Sequence, residues 1–210
     1  MNSVRLPTGV SAVVFDVGET LVDEIAAWSR QAESVGVTPF TLMGVLGALI
    51  GRGEDHRRVW EILGVERPAG PAIVEADLYP DALSCLKTVN DAGLIVGIAG
   101  NQPASAEREL RRTGFRADFV ASSASWGVAK PSPAFFARVV ESAGVAASEI
   151  LYVGDRVDND IVPARLAGMR TAFVRRGPWG YLHASLPEAE LADVTFDTLE
   201  QLAEALYASS

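Results

Sequence analysis

The sequence predicts an α/β protein: a Rossmann-like parallel sheet core that carries a small all-helical cap insertion. Three observations lead there. From about residue 80 onward, short apolar runs alternate with stretches of helical period, which implies a parallel sheet covered on both faces. Two of the apolar runs, Val13-Val14-Phe15 and Ile150-Leu151-Tyr152-Val153, pass directly into acidic turns, at Asp16 and at Gly154-Asp155. Between the first run and the next strand, residues 23–64 show helical spacing and no strand signal.

Each element has its own local warrant. Residues 10–15 read as the first buried strand. Ile25, Trp28, Ala32 and Val35 fall at helical spacing, closed by Gly36. Thr38-Pro39 is a cap and first-turn pair for a helix through Ile50. Asp55 can cap a third helix containing Val59, Trp60, Ile62 and Leu63, ended by Gly64. A Pro/Gly-rich link over 67–71 follows. A helix at 80–92, a strand at 94–99, a helix at 104–113 and a short strand at 117–121 come next. Ser132-Pro133 opens a helix that Gly144 closes. After the strand at 150–153, Asn159 or Asp160 caps a helix with Pro163 in its first turn and Gly168 at its end. Strands at 171–174 and 193–196 and a helix near 198–207 complete the chain. The Pro- and Gly-containing segment 175–183 reads as a loop leaving the same sheet edge as the acids, whose Trp179 and Tyr181 either line the rim or pack in a plain turn. The predicted division is a core of residues 1–21 and 80–210 and a cap of 22–79.

Composition narrows the function classes. With 210 residues the chain can bury one sizeable core plus an insert. Eighteen Lys and Arg against 27 acids give a net charge of −9. That argues against a nucleic-acid partner, which calls for basic patches, and against an anionic membrane surface. No apolar run reaches the ~18 residues of a membrane span. The start, Met1 to Thr8, lacks the order of a signal peptide. Cys85, the single cysteine, excludes an internal disulfide framework and reads as a small buried hydrophobe. A cytoplasmic protein, monomer or homodimer, is the expectation.

The acidic turns carry the chemistry. Ligands in open α/β sheets bind at the carboxyl ends of strands. If the two strands are neighbours, Asp16 and Asp155 meet there, and carboxylates brought close need a cation, a shared proton or basic neighbours. Mg²⁺ suits such a place, because it takes one or two carboxylates plus substrate phosphate.

Four motifs in order make the chain resemble the haloacid dehalogenase-like hydrolases. They are Asp16-Val17-Gly18-Glu19-Thr20-Leu21 after a strand, Ile98-Ala99-Gly100-Asn101, Lys130-Pro131 before a helix, and Gly154-Asp155 through Asp160. The resemblance implies a mobile cap between the first and second motifs, and a short cap implies a small phosphorylated metabolite as substrate. It implies Asp16 as nucleophile, forming an aspartyl-phosphate. It implies Mg²⁺ held by Asp16, Asp155 and the backbone carbonyl of Gly18. Asp160 would hold Lys130 or a metal-bound water. Lys130 would balance Asp16 and bind the transferring oxygens.

Two positions depart from the family pattern. Gly18 stands where the family has its general acid/base, a role typically worth about 10²–10⁴ in rate. Glu19 is the expected substitute; Asp23, Glu24 or His56 could also serve. Gly100 stands where Ser or Thr binds phosphate, leaving backbone N–H groups and Asn101 to do so. The departures allow a second reading, an impaired member that binds a phosphorylated metabolite or a protein partner. A dehalogenase needs no metal and would lack Asp155. A phosphonate hydrolase relies on a cap lysine, whereas residues 22–79 contain only arginines. In that insert, Arg52, His56, Arg57 and Arg58 either read an anionic substrate or form a solvated helix face.

Overall fold

The computed structural model describes residues 6–207. Residues 1–5 and 208–210, which include part of the start read for a leader and both ends of the predicted core, lie outside the described residues. Six strands form one sheet: β1 (Ala12–Phe15), β2 (Ile95–Gly100), β3 (Phe119–Ser122), β4 (Ile150–Gly154), β5 (Arg170–Val174) and β6 (Val194–Phe196). Their order is β3-β2-β1-β4-β5-β6 and every pairing is parallel. The order reverses at β1, so the crevice beyond the carboxyl ends of β1 and β4 is the ligand position for a sheet of this kind. Phe15 is in register with Val153, and the Asp16 N–H donates to the Val153 carbonyl at 2.8 Å. The two acidic turns therefore leave the sheet side by side.

Helices cover both faces: α1 (Ile25–Ser34), α2 (Pro39–Gly51), α3 (Val59–Ile62), α4 (Ala82–Asp91), α5 (Ser105–Arg112), α6 (Ser123–Trp126), α7 (Pro133–Ala143), α8 (Val162–Leu166), α9 (Gly177–His183) and α10 (Leu199–Tyr207). Successive residues of β1 point to opposite faces. Val13 and Phe15 pack with Leu86 of α4 and Leu202 of α10. Ala12 and Val14 pack with Phe136 of α7 and Ala164 of α8. All four strand residues are fully buried, as a sheet covered on both sides requires.

The inserted helices have their own core. Ala32, Leu42, Leu46, Leu49, Ile50, Val59 and Trp60 cluster there, and Trp179 of α9 joins them from the sheet side. The chain enters and leaves this block through a paired neck: Val22 bridges Leu78, the Asp23 N–H donates to Asp77 O at 2.8 Å, and the Tyr79 N–H donates to Leu21 O at 3.0 Å. Thr38 accepts a bond from the Thr41 N–H, with Pro39 in the first turn of α2. The third predicted helix is shorter than expected, a 3-10 turn at His56–Arg58 followed by the single turn of α3.

Two local expectations are corrected. Residues 177–183 form α9 rather than a loop, because Pro178 sits in the first turn, where its missing N–H costs nothing. Asn159 and Asp160 do not cap a helix. A π-turn at Val157–Ile161 begins before them and runs into α8, and both residues lie buried inside it. Among the described residues, no single helix is long and apolar enough to cross a membrane.

Candidate active site

Carboxylate oxygens of Asp16, Asp155 and Asp160 lie within 4.8 Å of one another at the crevice between β1 and β4. The Lys130 ammonium enters from the connection before α7. Its Nζ is 2.7 Å from Asp16 Oδ1 and 2.5 Å from Asp160 Oδ1, and its side chain is fully buried. Asn101 sets the position of that lysine: its Nδ2 donates to Lys130 O at 3.0 Å, and its Oδ1 accepts from the Lys130 N–H at 2.8 Å. The rings of Tyr152 and Phe135 face Nζ at 5.5 and 5.9 Å. Burial opposes the charge, but the carboxylates of Asp16 and Asp160 outweigh it and hold Lys130 well above its ordinary range.

The β4 side of the site depends on close backbone approach. A Cβ on Gly154 would fall 2.4 Å from Asp160 Oδ2, so only glycine lets the chain pass over that carboxylate. Asp160 Oδ2 accepts the Arg156 N–H at 3.1 Å. Asp155 is different: its Oδ2 is buried with no hydrogen-bond partner. Burial, then the charges of Asp160 and Asp16, push Asp155 well above the carboxylate range. Three buried carboxylates face one ammonium, which leaves uncompensated negative charge. A hard divalent cation with oxygen ligands resolves both problems, so these residues fit Mg²⁺.

On the β1 side, a Cβ on Gly100 would lie 2.5 Å from Asp16 Oδ1, so the nucleophile candidate leans into the space that a serine or threonine there would need. Glu19 has a left-handed backbone, φ 52°. Its Oε2 accepts the Tyr79 hydroxyl at 2.6 Å and its Oε1 accepts the Glu24 N–H at 3.2 Å. Both oxygens of the expected substitute acid are thus engaged in holding the turn. Glu24, just before α1, lines the cleft itself. Its Oε2 accepts the Trp28 indole N–H at 3.2 Å. Burial, and next the charge of Glu19, push Glu24 up to about 7.

The cleft measures about 1200 Å³ and is roofed by the helical block. His56 faces Trp179 edge-on at 5.0 Å and Trp28 at 6.4 Å, and the Arg156 guanidinium lies 4.9 Å from the Trp179 ring centroid. Burial, then the charge of Arg156, lower the His56 pKa to about 4, so the ring is neutral near pH 7. Arg57 is drawn to Asp55 at 2.9 Å, and Arg58 to Glu54 at 2.5 Å. Arg52 has a largely exposed side chain and is not among the residues lining the cleft.

The structure thus brings Asp16, Asp155, Lys130, Gly18, Asn101, Glu19 and His56 to the lining of one cleft, sets Asp160 against Lys130 and Gly100 against Asp16, and leaves Arg52 outside the lining. Sequence reasoning did not anticipate that the Asn101 side chain bonds to the Lys130 backbone or that Trp28 lines the cleft; of the two aromatics offered for the rim, Trp179 lines the cleft and Tyr181 is largely exposed. The Glu24–Trp28 pair did carry a signal, since residues four apart meet on a helix.

Known proteins bear on this geometry. A haloacid dehalogenase-like hydrolase family model matches residues 10–168. The chain is 32% identical over 129 residues to a glyceraldehyde 3-phosphate phosphatase of Methanocaldococcus jannaschii, covering 60% of this chain and 55% of that protein. It is 36% identical over 161 residues to a phosphoserine phosphatase of Thermus thermophilus, covering 74% of this chain and 60% of the relative. These matches span little more than half the relatives' own length. In fold it is similar to the crystal structure of a predicted phosphoglycolate phosphatase from Haemophilus somnus 129PT, with a TM-score of 0.68 at 21% identity, covering 97% of this chain and 99% of the other. With its residues 10–168 matched to that family and its acids gathered at the reversal point of the sheet, the chain belongs to the haloacid dehalogenase-like hydrolases.

Proposed function

We propose that the protein is a Mg²⁺-dependent phosphatase acting on a small phosphorylated metabolite through an aspartyl-phosphate on Asp16. The observation that carries this reading is Lys130 Nζ clamped between Asp16 and Asp160 beside the partnerless oxygen of Asp155. Asp16 and Asp155, with the Gly18 carbonyl, would hold the cation, which supplies neutralisation of phosphate charge so that an anionic nucleophile can approach. Lys130 fixes the rotamer of Asp16 and offers its remaining donor to a transferring oxygen. Asp160 keeps the ammonium in place. Asn101 acts by positioning the Lys130 backbone. Lys130, Asp155 and Asp160 are buried, which strengthens each of these charge interactions.

Relatives that bear the names of glyceraldehyde 3-phosphate, phosphoserine and phosphoglycolate phosphatases support a small substrate. So does a cleft closed by a short helical block. A second reading, a binder without turnover, draws on Gly18 and Gly100. The test is a panel of small phosphomonoesters with and without Mg²⁺, with Asp16→Asn as control. Mg²⁺-dependent turnover in the native protein alone supports phosphatase action. No turnover above the control across the panel would leave the binding reading.

A further inference from the structure

We propose that Glu24 is the proton carrier of this reaction, its carboxylate standing in the space that a side chain at position 18 would occupy. The inference rests on the phosphatase reading above. Breaking a phosphate ester leaves an electron pair on the departing oxygen, and an alkoxide leaves poorly without a proton. The carboxylates around Asp16 can be taken in turn. Asp16 and Asp160 are clamped by Lys130, and Asp155 faces them. Glu19 has one oxygen on the Tyr79 hydroxyl and the other on the Glu24 N–H. Glu24 has Oε2 tethered by the Trp28 indole at 3.2 Å, while its Oε1 has no hydrogen-bond partner among the described residues. A Cβ built on Gly18 falls 2.7 Å from that Oε1 and 3.0 Å from Glu24 Cδ. The free oxygen therefore sits where a position-18 side chain would begin, on the wall of the same cleft as Asp16. The i,i+4 spacing to Trp28 fixes it at the first turn of α1.

The two half-reactions balance through this one group. An Asp16 oxygen bonds to phosphorus as the ester P–O bond breaks. The released electron pair stays on the leaving oxygen, which takes the proton of the Glu24 carboxylic acid and departs as an alcohol. Water then bonds to phosphorus, its proton passes to the Glu24 carboxylate, and the acyl P–O bond breaks. That restores the Asp16 carboxylate, releases inorganic phosphate and returns Glu24 to its protonated form.

The experiment compares native protein, Glu24→Gln, Gly18→Asp/Glu24→Ala and Asp16→Asn, each checked for folding by circular dichroism. The substrates are para-nitrophenyl phosphate and the best alkyl phosphate of the panel. Glu24→Gln should lose about 10²–10⁴ in kcat on the alkyl ester and less in the first turnover of the aryl ester, whose leaving group needs no proton. It should release a burst of nitrophenol and retain covalent phosphate by intact mass. The double variant, which restores a carboxylate from position 18, should regain much of the alkyl rate. Equal loss on both esters with no burst, or no loss at all, would overturn the role of Glu24. Native protein no better than Asp16→Asn would instead overturn the phosphatase reading.

Discussion

The two acidic turns of the site solve the same problem in opposite ways. At the tip of β4, the functional carboxylates Asp155 and Asp160 come from one turn, five positions apart, and glycine at 154 lets the backbone pass close to Asp160. At the tip of β1, the turn supplies Asp16 and then a gap at Gly18, and a carboxylate arrives from position 24, across the turn and at the entry to α1. Glu19 holds the turn through Tyr79 and the Glu24 N–H. A group's place in space can thus persist while its place in sequence moves, provided a local helix start and a tether such as Trp28 fix it.

The comparison can be broken or sharpened by substitution, beginning with the largest expected effect. Asp16→Asn should lower kcat by about 10⁴ or more, since it removes the nucleophile itself. Lys130→Met should destabilise the Mg²⁺-free protein by about 3–5 kcal/mol in urea titrations, because it strips the paired ammonium from the buried carboxylates of Asp16 and Asp160. Added Mg²⁺ should recover part of that loss. Asp155→Asn should act in reverse on stability. It relieves charge repulsion and should raise the melting temperature without Mg²⁺ by a few degrees, about 1 kcal/mol, while abolishing the stabilisation that Mg²⁺ gives the native protein. If Asp155→Asn still shifts with Mg²⁺, the β4 turn is not a metal ligand.

The smallest effect concerns His56. Its folded pKa near 4 lies below the ordinary 6.5, so the unfolded chain binds the extra proton between those values. The stability this contributes is fully present above about pH 6.5 and is lost as pH falls toward 4. His56→Gln should flatten that part of the stability–pH curve, as read by thermal melts. An unchanged slope would mean that the His56 ring is not enclosed by Trp28 and Trp179 in solution.

Much of the fold was legible because its signals are local. Thr38-Pro39 and Ser132-Pro133 announce helices within a few residues, and the full burial of β1 and β4 reads directly as apolar runs. The carboxylates at the strand tips follow from the parallel sheet. What sequence could not convey depends on approach between distant segments. Gly100 looked like a lost phosphate donor, yet the structure shows Asp16 occupying that space. Both ends of the Asn101 amide meet the Lys130 backbone, a contact between distant segments that no local pattern announces. Arg52, four positions before His56 in the basic cluster, ends α2 with its side chain largely in solvent, toward Glu54. Segment 177–183 was misread because a helix opening with Gly-Pro has the composition of a turn.

The most direct test of the account is to quench the protein in acid during turnover of a radiolabelled phosphomonoester with Mg²⁺, then map the label by peptide. Label on the peptide that contains residue 16, absent from Asp16→Asn, is the predicted result. Label on another residue, or turnover that survives in Asp16→Asn, would contradict it.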